Sequence, residues 1–131
     1  MQRTEVATPQ APRPSGAYSQ GIVFRDLVFV AGQRPADPDT GLVPAGIVAQ
    51  TRQALSNVRS VLEAAGSSMD CVLKVTVYLT NLNDWSAMNE VYSQFFDRPL
   101  PVRTTVGVAL RDILIEVDAI ACRSGDVKNL P

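Results

Sequence analysis

The sequence predicts an α+β domain: one sheet of five to six strands with two helices on one face, in the order β-β-α-β-α-β-β. Three observations carry this. Two segments repeat apolar residues at three- and four-residue spacing, the period of a helix face. Several others are short apolar runs or alternate with the period of a strand. Two amphipathic helices can cover only one face of a sheet this wide. The chain has 131 residues, enough for one core and too few for two, so 1–131 reads as a single domain.

Residues 1–15 are rich in Pro, Gln and Thr and read as an irregular arm. Ile22-Val23-Phe24 and Leu27-Val28-Phe29-Val30-Ala31-Gly32 read as a hairpin turning at Arg25-Asp26. Asp37-Pro38-Asp39-Thr40-Gly41 is a turn signal. A helix is expected over about 46–65, with Ile47, Thr51, Leu55, Val58, Leu62 and Ala65 as its apolar stripe. Gly66 ends it. Cys71 to Leu79 reads as a strand with Leu73, Val75, Val77 and Leu79 on one face. Asn83 or Asp84 can cap a second helix reaching Phe96, with Trp85, Met88, Tyr92 and Phe95 as its stripe. Two strands close the chain, Pro101–Val108 and Ile113–Ala121, and residues 124–131 form a polar tail.

Composition excludes several kinds of function. A net charge of −1 and a pI of about 5.3 argue against a nucleic-acid binder, which carries a basic stripe. No apolar run approaches the roughly 20 residues of a membrane span. The first residues lack the apolar stretch of a signal peptide, so the expected location is cytoplasmic. Cys71 and Cys122 are expected to be small buried residues, not a disulfide. There is no histidine, which removes Ser-His-Asp and Cys-His catalysis and the common zinc sites. No phosphate-loop pattern is present, and no metal or cofactor is expected.

Charge inside the last two strands is the strongest functional signal. Alternation puts Val102, Thr104, Val106 and Val108 on one face and Arg103 with Thr105 on the other. Glu116 and Asp118 share a face of the following strand. The sheet face that the helices leave open is expected to carry Arg103, Thr105, Glu116 and Asp118 together. Such charges are costly unless paired or used. Arg103 is a ready receptor for a small carboxylate, since a guanidinium fork matches its two oxygens. Glu116 and Asp118 suit either acid/base work or an ion pair with Arg103 or Arg123. Tyr18, in a glycine-flanked loop, reads as a packing residue before a site residue, and Asn89, one turn from Trp85 and Tyr92, reads by default as a surface or capping residue. Something must cover the open face, and a second copy of the chain in closed symmetry is the simplest cover.

Together these segments resemble the reactive intermediate/imine deaminase (Rid, YjgF-like) family, also described as L-PSP endoribonucleases. The resemblance runs from about Ala11 to Arg123. It rests on Gly16-Ala17-Tyr18-Ser19-Gln20, Ala31-Gly32-Gln33, Ala64-Ala65-Gly66, Leu82-Asn83-Asp84-Trp85 and Met88-Asn89. Its most specific parts are Pro101-Val102-Arg103-Thr104-Thr105-Val106 and Ile115-Glu116-Val117-Asp118-Ala119-Ile120-Ala121. The resemblance implies a chorismate-mutase-like fold, a homotrimer with sites at subunit interfaces, and hydrolysis of 2-aminoacrylate-type enamines or imines to 2-keto acids and ammonia. It implies that Arg103 grips the substrate carboxylate and Glu116 positions the attacking water. Tyr18, Ala31, Gly32, Asn89 and Thr105 would line the pocket. Thr105 stands where better-known members carry Cys, and Ala31 where they often carry Ser; both bear on substrate preference. Alternatives are a non-catalytic trimeric module binding keto or amino acids, a pathway-specific deaminase for aminomuconate or 3-aminoacrylate, and a ribonuclease. The acidic pI weighs against the last.

Overall fold

The computed structural model describes residues 2–123; the tail expected at 124–131 lies outside them. The elements are β1 (Thr4–Val6), β2 (Gly21–Phe24), β3 (Leu27–Gln33), α1 (Ile47–Ala64), β4 (Val72–Leu79), α2 (Trp85–Ser93), β5 (Val102–Gly107) and β6 (Ile115–Cys122). Six strands form one sheet in the order β1-β2-β3-β6-β4-β5. Every pairing is antiparallel except β4 with β5, whose crossover contains α2. The core lies between α1, α2 and one sheet face. Leu55, Val58, Val61 and Leu62 from α1 meet Val28, Val30, Val75, Val77, Ile115 and Val117. Among the described residues no helix is long and apolar enough to cross a membrane.

The arm departs from expectation. Thr4–Val6 pairs with β2, and Val6 is buried. Three residues are too few to show a period, so the strand is set by what it meets. The rest of the arm is held by Gln20, a buried amide. Its Oε1 accepts from Thr8 N at 2.7 Å, and its Nε2 lies within hydrogen-bond distance of the Thr8, Ala11 and Pro12 carbonyls.

Helix α1 follows its stripe, with Thr51, Leu55, Val58 and Leu62 buried. Gly66, at φ 77°, ends it as expected: Ser67 N reaches Leu62 O at 2.8 Å, and Gly66 N reaches Glu63 O. Helix α2 stops at Ser93, short of the expected Phe96. Gln94 N and Phe95 N bond three residues back, to Val91 O and Tyr92 O, so the last turn tightens. Asp84 occupies the N-cap position without a side-chain cap bond. Asn81 instead accepts from Asn83 N at 2.9 Å and organises the turn before the helix.

Two strand faces are corrected. A register shift between Val72 and Lys74 buries Val72 and turns Leu73 outward, 48% exposed. In β5 the parallel register aligns Arg103 with Val75 and Thr105 with Val77. Paired residues point to the same side, so Arg103 and Thr105 lie on the helix-covered face. Val102 and Thr104 lie on the open one, and Val102 is 65% exposed. The reason is position: β5 is an edge strand, so its β-branched residues need no cover from this chain. Cys71 and Cys122 are free and half-buried, not fully buried, because they sit at the strand ends.

A second buried amide fixes the loop after β3. Asn57, on α1, donates through Nδ2 to Arg34 O and Ala36 O, both at 2.9 Å, and accepts from Gln53 at 3.0 Å. Asn57→Ala would leave two carbonyls without their donor, at a cost of about 1–3 kcal/mol. The expected result is a lower midpoint in urea unfolding, with Gln53→Ala changing it far less.

Candidate functional site

The residues that the sequence singles out fall into two groups, and the sheet separates them. Glu116 lies on the open face of β6, and Arg103 lies on the helix face of β5, with β4 between them. The expectation that they share a face is therefore wrong. The alternation within each strand is as read, but the pairing of β5 with β4 sets its phase, and a single strand's pattern does not encode that phase.

The first group surrounds Glu116. A bulge between Val30 and Gln33 puts Ala31 and Gly32 out of step with the ladder. Gly32 packs directly under the Glu116 carboxyl: a Cβ there would lie 2.9 Å from its carboxyl carbon. Only glycine permits this approach. Tyr18 reaches the same place from its loop and is 47% exposed; its hydroxyl accepts from Ser15 N at 3.1 Å. Ser15, Tyr18, Ala31, Gly32, Arg34 and Glu116 line one cleft of about 340 Å³. An adjoining cleft of about 640 Å³ also reaches Arg34 and Glu116 and is closed by residues 109–113.

Burial pushes the Glu116 carboxyl above the usual carboxylate range. The Arg34 guanidinium opposes this shift, and the Asp118 charge adds to it. Asp118 itself accepts from the Tyr78 hydroxyl at 2.9 Å. Neither Arg103 nor Arg123 forms an ion pair with these acids among the described residues; Glu116 answers to Arg34, four residues from Val30 along the chain.

The second group is built on α2. Arg103 Nη1 donates to Asn89 Oδ1 at 2.8 Å. Its guanidinium carbon lies 4.6 Å from the Tyr92 ring centroid and 5.3 Å from that of Trp85. Asn89 is therefore the orienter of Arg103, more than the surface residue its helix position suggested. Two aromatic faces and an amide hold the fork while leaving donors unused. Tyr92 is buried beneath, with its hydroxyl unpartnered among the described residues; burial pushes it up to about 12 against the Arg103 charge. Thr105 follows on the same face. The group suits an anion: a fixed cation on an aromatic floor, with no carboxylate of this chain bonded to it among the described residues.

Sequence reasoning missed Arg34 and the aromatic floor. Trp85 and Tyr92 read as core stripe, and only the phase of β5 reveals that Arg103 lies over them. Arg34 carried a usable signal, since it directly follows the Ala31-Gly32-Gln33 segment. Among the described residues no cluster of His, Cys, Asp and Glu could hold a metal.

Comparison with known proteins gives consistent results. A family model described as endoribonuclease L-PSP matches residues 8–123. The chain is 47% identical over 124 residues to a RutC family protein of Pyrococcus abyssi, covering 92% of this chain and 98% of that one. It is 41% identical over 123 residues to the 2-iminobutanoate/2-iminopropanoate deaminase of Escherichia coli (strain K12), covering 90% and 96%. The crystal structure of E. coli TdcF with bound serine matches with a TM-score of 0.84 at 38% identity, covering 92% and 99%.

The electrostatics around Glu116 predict opposite responses to two substitutions. Arg34→Gln removes the influence that lowers its pKa and should move it further up. Asp118→Asn removes one that raises it and should move it down. Carbon-13 NMR titration of the Glu116 carboxyl reads both signs.

Proposed function

Because the chain belongs to the reactive intermediate/imine deaminase (Rid, YjgF-like) family, we propose that it hydrolyses reactive 2-imino acids, and the enamines that tautomerise to them, to 2-keto acids and ammonia. The observation that carries this reading is the Arg103 fork, oriented by Asn89 and stacked on Tyr92 and Trp85, with no acid of this chain bonded to it among the described residues. It is a prepared receptor for a small carboxylate.

Deamination of an imine asks little of its catalyst. The imine carbon is already electrophilic, so the site must orient it, supply water and move protons. Arg103 would fix the carboxylate and so place the carbon. Glu116 would accept a proton from water as the water oxygen bonds to that carbon. It would pass that proton to nitrogen, giving a hemiaminal, and would then carry the hydroxyl's proton to nitrogen in the same way as the keto oxygen forms, the carbon–nitrogen bond breaks and ammonia leaves. A carboxylate whose pKa is raised is a stronger base than an exposed one, which suits this exchange. Tyr18, Ala31 and Gly32 would wall the Glu116 side, with Thr105 beside the arginine.

One chain cannot bring Arg103 and Glu116 to the same small molecule, because they face opposite sides of the sheet. We infer that Arg103 of one copy meets Glu116 of the next. Two different surfaces then form each interface, which is a heterologous contact. Where the rotation closes, such contacts give rings rather than two-fold dimers. A homotrimer satisfies this and buries the half-exposed Leu27 and Phe29 of the open face. Sedimentation equilibrium should give three times the 14.1 kDa chain mass.

The shared site has a sharper test. Arg103→Ala and Glu116→Gln should each abolish most imine hydrolysis. Losing the charge-assisted contact at Arg103 costs about 2–5 kcal/mol, or roughly 30- to 4,000-fold in turnover at limiting substrate. Co-refolding the two variants in equal amounts should restore about a quarter of the wild-type sites, since one interface in four would then pair an intact arginine with an intact glutamate. No recovery from correctly assembled mixed rings would show that both residues act within one chain.

A further inference from the structure

Arg34 is not used by the mechanism above, yet it lines both of the clefts that reach Glu116. Its backbone is fixed: Asn57 bonds its carbonyl at 2.9 Å, and Pro35 and Ala36 behind it are buried. Its side chain is half-buried, and among the described residues it has no hydrogen bond or close ion pair, only the longer-range influence of Glu116. Holding a guanidinium in a cleft without a bonded partner is unfavourable. It fits a group that receives its partner from outside.

The cleft is also larger than a three-carbon acid needs. Its volume of about 640 Å³ falls within the range that holds drug-sized ligands, about 300–1,000 Å³. The remaining charged groups of its lining are Arg111, Asp112 and Glu116. Arg111 and Asp112 are exposed neighbours on the rim, on a turn where Asp112 has φ 60°; Arg34 is the cation seated on a rigid base.

We propose that Arg34 receives a second carboxylate, so that the preferred substrates are 2-imino dicarboxylic acids. This rests on the deaminase reading: Arg103 takes the carboxylate next to the imine carbon, and the side chain extends past Glu116 into the cleft, where its terminal carboxylate meets the Arg34 fork. The pairing is bidentate and half-desolvated, which favours it over an exposed contact.

The test separates this proposal from the reading beneath it. Isothermal titration compares 2-oxoglutarate with 2-oxobutanoate, products of a dicarboxylic and a monocarboxylic imine. The wild type should bind 2-oxoglutarate at least tenfold more tightly, and Arg34→Gln should collapse that ratio toward one. Arg34→Lys should keep part of it, since charge remains without the fork. Equal affinity in the wild type, or a ratio that survives Arg34→Gln, overturns the proposal. A parallel assay follows decay of imines generated in situ by amino-acid oxidases from glutamate and from 2-aminobutyrate. If Arg34 serves only to tune Glu116, its substitution shifts the pH profile and slows both imines equally, which also overturns the proposal. Selective binding without acceleration of either imine keeps the dicarboxylate site and removes the deaminase reading instead.

Discussion

Side-chain alternation across the sheet governs how this molecule is organised. In β4, β5 and β6 each residue faces either the helices or the open side, and the register leaves no intermediate choice. Glu116 falls on the open side because its neighbours Ile115 and Val117 are core residues. Arg103 falls on the helix side because β5 docks in parallel with Val75 opposite it. The proposed carboxylate receptor and the proposed base are thereby carried by one short stretch of sheet but on opposite faces, where they cannot act together within one chain. The apolar residues left uncovered on the open face, Leu27, Phe29 and Val102 among them, would supply the drive for the proposed association. On the reading proposed here, assembly and site formation are one event.

What keeps each half in place is a small set of buried amides. Gln20 closes the N-terminal arm over the Tyr18 loop, and Asn57 ties the segment carrying Arg34 to α1. Gln50 links two loops, donating to Pro44 O at 2.9 Å and accepting from Leu114 N at 2.8 Å just before β6. An amide can donate and accept at once, so one side chain satisfies several backbone groups that no ladder reaches. Loops positioned this way behave as part of the scaffold. That matters at Gly32, where the Glu116 carboxyl approaches so closely that a methyl group would collide with it.

The helices, the hairpin and the order of the elements were legible in the sequence, because they rest on local periodicity. Ile47 to Ala65 reads as a stripe whatever it packs against, and Gly66 marks its end. The identity of the charged residues was legible too: Arg103 and Glu116 stand out as ions within apolar strands. Their relative placement was not. Whether the odd or the even residues of β5 face the helices depends on its partner strand, a long-range fact absent from the six residues themselves. Leu73 illustrates the same limit, since a single bulge reverses its side. Thr4–Val6 was missed for the opposite reason, being too short to carry any pattern.

The two arginines also show how environment assigns different work to the same side chain. Arg103 lies against two aromatic rings and an amide, so its orientation is fixed while no acid among the described residues neutralises its charge. That is what a group needs if it must hold a reacting molecule at a set distance from a base. Arg34 is anchored through its backbone, with the side chain left to reach into a wide cleft beside Glu116. Its charge lowers the glutamate's pKa, opposing the rise that burial causes. A dianionic ligand placed between them would weaken that influence by engaging the guanidinium itself. Glu116 would then be at its most basic when the cleft is occupied, so recognition of the far end of a substrate would strengthen the base at its near end.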